Sequence, residues 1–138
     1  ERGYARIRRA WGANDVVELD LSMPAERLWA HPDVGADVGR VALRHGPMIY
    51  CLEGQDQAAP LHRLRLSRDG ALSSRFRPDL LGGVTVIEAA GHASDTSGFA
   101  HALYRTNPPS EKASPLMAVP YYIWCNRGPN PMQVWIRE

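Results

Sequence analysis

Short alternating runs, broken about every ten residues by Gly, Pro, Asn or Asp, dominate the chain, and helical periodicity is almost absent. In residues 16–21, Val17, Leu19 and Leu21 fall on one face and Glu18 and Asp20 on the other, as in a sheet with one wet side. Gly12-Ala13-Asn14-Asp15 supplies the turn back from a run over residues 4–11, so the first stretch reads as a hairpin. Further strands are predicted at 26–30, 40–43, 48–53, 61–66, 84–89, 102–105, 116–125 and 132–137. Two apolar runs meet at the Gly46-Pro47 corner, and Gly82-Gly83 makes a tight turn before the strand at 84–89. Asn107-Pro108-Pro109-Ser110 is the clearest loop, since proline cannot donate a ladder hydrogen bond. The fold class that follows is all-β, an antiparallel, jelly-roll-like β-sandwich of about ten short strands.

At 138 residues the chain has the length of one domain with one core. Sixteen Lys and Arg against 15 Asp and Glu leave a formal charge of +1, with no sustained basic tract. Arg2, Arg6, Arg8 and Arg9 form the densest patch, but Ile7 and Trp11 beside them suit an edge strand with solvated arginines, so nucleic acid is not an expected partner. No run approaches the roughly 20 apolar residues that span a bilayer, so no membrane partner is expected either. Without a visible leader the expected compartment is the cytoplasm. The chain opens on Glu1-Arg2-Gly3 rather than Met, as a piece of a longer polypeptide does, so a leader could lie upstream. Cys51 and Cys125 are too few for a disulfide scaffold and read as free thiols.

Candidate chemistry is sparse. Glycoside hydrolysis usually takes two carboxyl groups across a cleft, and Glu53 and Glu88, in or at the end of apolar strands, are the pair whose pKa burial could raise. A Glu at a strand end is equally a solvated or Arg-paired group. The histidines never take the local spacing of zinc ligands, which leaves only a site assembled in space from His92, His101 and Asp95. No Gly-x-Ser-x-Gly and no strand–Gly loop–helix fingerprint is present, which disfavours serine hydrolysis and nucleotide binding. We therefore assign no catalytic residue, metal ligand or cofactor to the chain.

The aromatic residues carry more. If 116–125 is one strand, alternation sends Tyr121 and Ile123 to one face and Tyr122 and Trp124 to the other. With Arg127 at the turn and Trp135 on the next strand, Tyr122 and Trp124 could form a platform on which sugar rings stack. The alternative is a strand buried on both faces, since Tyr, Trp and Arg also mark protein interfaces.

Four segments carry a family resemblance: Gly3-Tyr4-Ala5-Arg6-Ile7-Arg8-Arg9-Ala10-Trp11; Asp15-Val16-Val17-Glu18-Leu19-Asp20-Leu21 with Met23-Pro24; Gly39 through Glu53; and Val119-Pro120-Tyr121-Tyr122-Ile123-Trp124-Cys125-Asn126-Arg127-Gly128-Pro129. Together they resemble the C-terminal part of the bacterial enzymes of glycoside hydrolase family 127, typified by β-L-arabinofuranosidases. The resemblance implies that residues 1–22 form a hairpin completing a preceding β-sandwich and that 23–138 form a C-terminal sandwich domain. It also implies an accessory, non-catalytic part of an enzyme acting on β-L-arabinofuranosides or related plant glycans. The partner it implies is a catalytic (α/α) barrel in the same polypeptide, on which this region packs or beside which it mediates homodimerisation. An oligosaccharide bound at Tyr122, Trp124, Arg127 and Trp135 is the alternative partner. Members of the family use a cysteine nucleophile at a zinc site of several Cys and a Glu, with an acid/base Glu nearby. Nothing around Cys51 or Cys125 matches that motif, so zinc is expected only in the barrel.

Overall fold

The computed structural model describes residues 3–138, so Glu1 and Arg2 of the basic N-terminal patch lie outside the described residues. Among the described residues eleven strands form: β1 (Ala25–Leu28), β2 (Arg40–His45), β3 (Met48–Glu53), β4 (Leu64–Leu66), β5 (Leu72–Arg77), β6 (Val84–Ala89), β7 (Gly91–Ser94), β8 (Glu111–Ala113), β9 (Leu116–Pro120), β10 (Met132–Gln133) and β11 (Ile136–Arg137). The helical pieces are three-residue 3-10 turns. The ladder runs β5-β6-β9-β3-β2-β11-β4-β7-β8, with β1 added to β2 and β10 to β3. All pairings are antiparallel except β11 with β4, so the sheet is mixed.

β2 joins the two halves of this ladder. Its first residues, Arg40 and Val41, pair with β11, while Leu43 to His45 pair with β3. The halves close on one another, because Leu43, Tyr50, Leu52, Ile87 and Leu116 from one side and Leu64, Leu66 and Ile136 from the other belong to a single buried cluster. A second cluster lies on the opposite face of the first half. There Cys51, Val84, Val86 and Val119 are covered by Ile123, with Leu80, Trp124, Met132 and Val134 packed against them. The period of two in β3, β6 and β9 therefore divides side chains between two apolar clusters rather than between core and water. That double burial is why these strands read as nearly continuous apolar runs.

Two glycines fix corners. Gly46 takes φ +56° in the β2–β3 turn, a left-handed conformation that Gly adopts without steric cost. At Gly91, where the chain turns from β6 into β7, an added Cβ would lie 2.7 Å from the Arg65 carbonyl oxygen and 2.7 Å from Leu116 Cγ. The first of these is backbone paired with β7 and cannot swing away. Gly91→Ala is accordingly expected to cost about 1–3 kcal/mol through overpacking. A melting temperature equal to the parent's would show that the β6–β7 corner relaxes freely.

Five expected strands are not as the sequence reading placed them. The turn at Gly12–Asp15 forms, with the Asp15 amide donating to the Gly12 carbonyl at 3.2 Å, but 4–11 and 16–21 join no ladder. Among the described residues, their apolar side chains from Ile7 to Leu21 are exposed. Residues 102–105 form exposed loop, and Leu61–Arg63 is a 3-10 turn that leads into the shorter β4. The run 116–125 ends as a strand at Pro120, whose φ of −55° opens a 3-10 turn over Tyr121–Ile123. In place of the missing strands, β5 and β8 form from polar sequences, Leu-Ser-Ser-Arg-Phe-Arg and Glu-Lys-Ala, held by ladder hydrogen bonds to β6 and β7.

Candidate functional site

The end of β3 carries the deepest polar cluster. Alternation points Glu53 to the same face as Cys51, and its carboxylate has no exposed surface. Three donors meet it: the Cys125 amide at 2.8 Å on Oε1, Gln55 Nε2 at 3.2 Å on Oε2, and the Arg127 guanidinium, also on Oε2. Arg127 also grips Asp56 with two nitrogens, Nη1 to Oδ1 at 2.8 Å and Nη2 to Oδ2 at 2.5 Å. Asp56 sits in the 3-10 turn Gly54–Asp56 that follows β3, so one short segment presents both carboxylates to one guanidinium. Gln57 locks the same segment to β9, donating to the Met117 carbonyl at 2.8 Å.

Burial alone would push the Glu53 carboxyl up, but the Cys125 amide, Arg127 and Gln55 together outweigh it and hold the group below its ordinary range. This corrects the expectation that burial raises its pKa: the group is buried, yet its carboxylate form is favoured. Arg127 is held above its usual value, first by its hydrogen bonds to Asp56. Glu88 faces Arg75 Nη2 at 2.8 Å on the half-exposed side of β6. Both carboxylates thus take the Arg-paired role that the sequence left open. Cys51 is no nucleophile, since burial first, then Glu53 and Asp56, push its thiol up to about 12.

The aromatic platform does not form as one strand face, because the ladder stops before it. Tyr122 is 70% exposed in the 3-10 turn, whereas Trp124 packs half-buried on the second apolar cluster. Arg127 turns inward onto Glu53 and Asp56. Trp135, between β10 and β11, lines a groove of about 830 Å³ together with Arg40, His62, Asn130, Gln133 and Arg137. Asp56, Gln57, Arg40 and Arg137 were missed by sequence reasoning. The sole signal for Asp56 was its place three residues after an apolar strand's terminal Glu, which suits a shared counter-ion but does not name it.

Zinc does not fit the residues present. Among the described residues no three His, Cys, Asp or Glu side chains gather in a way that could hold a metal ion. His92 lies in β7, Asp95 is taken by Ser97 and Lys112, and His101 is on exposed loop. No helix among the described residues is long and apolar enough to cross a membrane.

Comparison with known proteins adds a consistent set of likenesses. The family model for the glycoside hydrolase family 127 C-terminal domain matches residues 25–137. The chain is 33% identical over 134 residues to a non-reducing end β-L-arabinofuranosidase of Bifidobacterium longum subsp. longum, an alignment covering 91% of this chain and 20% of that protein. In structure it is similar to a GH127 β-L-arabinofuranosidase from Geobacillus stearothermophilus T6, with a TM-score of 0.81 and 47% identity over 84% of this chain and 18% of the other. A GH127 β-arabinofuranosidase matches with a TM-score of 0.71 and 32% identity, over 83% of this chain and 17% of the other. The chain spans about a fifth of the length of the curated relative it matches.

Proposed function

The chain belongs to the glycoside hydrolase family 127 C-terminal domain family, and from that premise we propose that it is a non-catalytic β-sandwich module that packs on a catalytic barrel of the same polypeptide. The parent enzyme would hydrolyse β-L-arabinofuranosides or related glycans, as the names of its relatives suggest. Chemistry within the module supports an inert role: Glu53 and Glu88 are each paired with an arginine, and Cys51 is a buried thiol.

The observation that carries the docking role is the segment before β1. Tyr4, Ile7, Trp11, Val16, Val17, Leu19, Leu21 and Met23 are all exposed, on sequence that alternates like a strand yet joins no ladder. So much apolar surface on one stretch marks an interaction site. Its natural occupant is the rest of the polypeptide, and a second copy of the chain is the competing one.

The test is direct. The purified chain is expected to show no turnover of aryl β-L-arabinofuranosides and to bind a hydrophobic dye. Trp11→Ser with Leu19→Ser should abolish the dye signal and any self-association seen by sedimentation, while shifting folding stability by no more than about 0.5 kcal/mol, as for surface sites. Turnover by the chain alone would refute the inert role. A large loss of stability in the double variant would place those side chains in a core and remove the docking surface.

A second reading is favoured by Tyr122 and by Trp135 in its groove: a carbohydrate-binding module. It requires a sugar to quench tryptophan fluorescence saturably in the parent chain and not in Trp135→Ala.

A further inference from the structure

We propose that the groove beside Trp135 binds an anionic saccharide, an oligosaccharide bearing uronic-acid carboxylates, through the facing arginines Arg40 and Arg137. The two are direct cross-strand partners where β2 meets β11. Residues opposite one another in an antiparallel pair project to the same face, and the next pair along, Val41 and Ile136, is buried in the main core. The arginines therefore project outward, side by side. The row continues past them, since Arg137 also opposes Arg65 on β4, and Arg65 opposes His92 on β7.

Like charges set opposite one another across a sheet are destabilising. Several other guanidinium groups are neutralised, with Arg27, Arg44, Arg68, Arg75, Arg77 and Arg127 each facing a carboxylate, while Arg63 donates to the Thr96 hydroxyl and Arg105 lies over the Phe99 ring. Arg65 has Glu111 at 3.4 Å. Among the described residues no carboxylate lies within ion-pair distance of Arg40 or Arg137. Their hydrogen bonds run to carbonyl oxygens, Arg40 Nη1 to Trp135 at 3.1 Å and Arg137 Nη1 to His62 at 3.4 Å. Those bonds aim the forks without cancelling their charge.

The groove they line contains no Asp or Glu, and its volume of about 830 Å³ suits a small oligomer. Guanidinium forks bind carboxylates bidentately. Trp135 offers a ring face for a sugar, and Asn130 and Gln133 offer amides for hydroxyls. The choice of a saccharide over another anion rests on the family 127 reading, whereas the uncompensated arginine pair stands without it.

The decisive measurement is a tryptophan-fluorescence titration of the chain with trigalacturonate, with neutral arabinotriose and a pentaglutamate peptide as parallel arms. Trigalacturonate is expected to quench saturably, to weaken as salt is raised, and to lose about ten-fold in affinity in Arg137→Gln, whose side chain is exposed. Arabinotriose should bind at least about ten-fold more weakly. Salt dependence of the unaltered chain keeps the test sound if Arg137→Gln folds poorly. Equal binding of the neutral sugar would deny the arginines their role. Equal or tighter binding of the peptide would make this an acidic-protein site and overturn the saccharide. A flat response in all arms would overturn the inference while leaving the docking role, read by dye binding and sedimentation, intact.

Discussion

Arg127→Met is expected to remove about 3 kcal/mol of folding stability, near the lower end of what losing one partner of a buried ion pair costs. The lower end applies because the Arg127 side chain is 21% exposed, while that of Glu53 is fully buried and that of Asp56 is 8% exposed. Without Arg127 two carboxylates face each other across one short segment, and the Cys125 amide and Gln55 cannot neutralise them. The effect is to be read from the urea midpoint. Adding Glu53→Gln to Arg127→Met should restore part of the loss, because the unpaired buried charge is then gone. If the double variant is as unstable as the sum of the singles, the pair is not coupled and the cluster has been misread.

The same cluster sets an acid limit. The folded-state pKa of Glu53 is depressed, so its contribution is fully present above the unfolded-state value, about 4.5, and is lost as pH falls through the folded value. Stability should therefore drop below about pH 4.5 with a proton uptake that Glu53→Gln abolishes.

Leu52→Ala is the second large effect, at about 2–5 kcal/mol. Leu52 is fully buried on β3, in contact with β9 through its register with Ala118 and with β10 through Gln133. Its cluster is filled from both halves of the ladder, so the cavity cannot be closed by moving one sheet alone. Ile49→Ala, on the same strand but 36% exposed, serves as the control and should cost under about 1 kcal/mol. Equal costs at the two sites would mean that the halves do not share a core.

The strands that the sequence announced are those buried on both faces or bounded by glycine: β2, β3 and β6 sit where the apolar runs placed them, and β9 starts at Leu116 as expected but stops at Pro120. β5 and β8 were illegible because edge strands draw their order from a neighbour's hydrogen bonds and need no apolar side chains of their own. The reverse error, at 4–11 and 16–21, came from alternation that no strand among the described residues answers. At the candidate site, Glu53 stood out as the end of an apolar strand, yet the sign of its pKa shift depends on the Cys125 amide and then Arg127, residues 72 and 74 positions away. Trp135 was visible as an aromatic residue, but the arginines beside it became neighbours only through the β2–β11 register. Distance along the chain hides such pairs, and no local pattern restores them.

β2 hydrogen-bonds into both halves of the ladder, and this has a consequence for how the molecule comes apart. Neither half can open as an independent unit while the other stays closed, since each would have to release the same strand. The amide protons of Val41, Ala42 and Leu43 should therefore exchange with solvent only when the entire domain unfolds, making this short strand the slowest-exchanging part of the chain and its unfolding a single cooperative event.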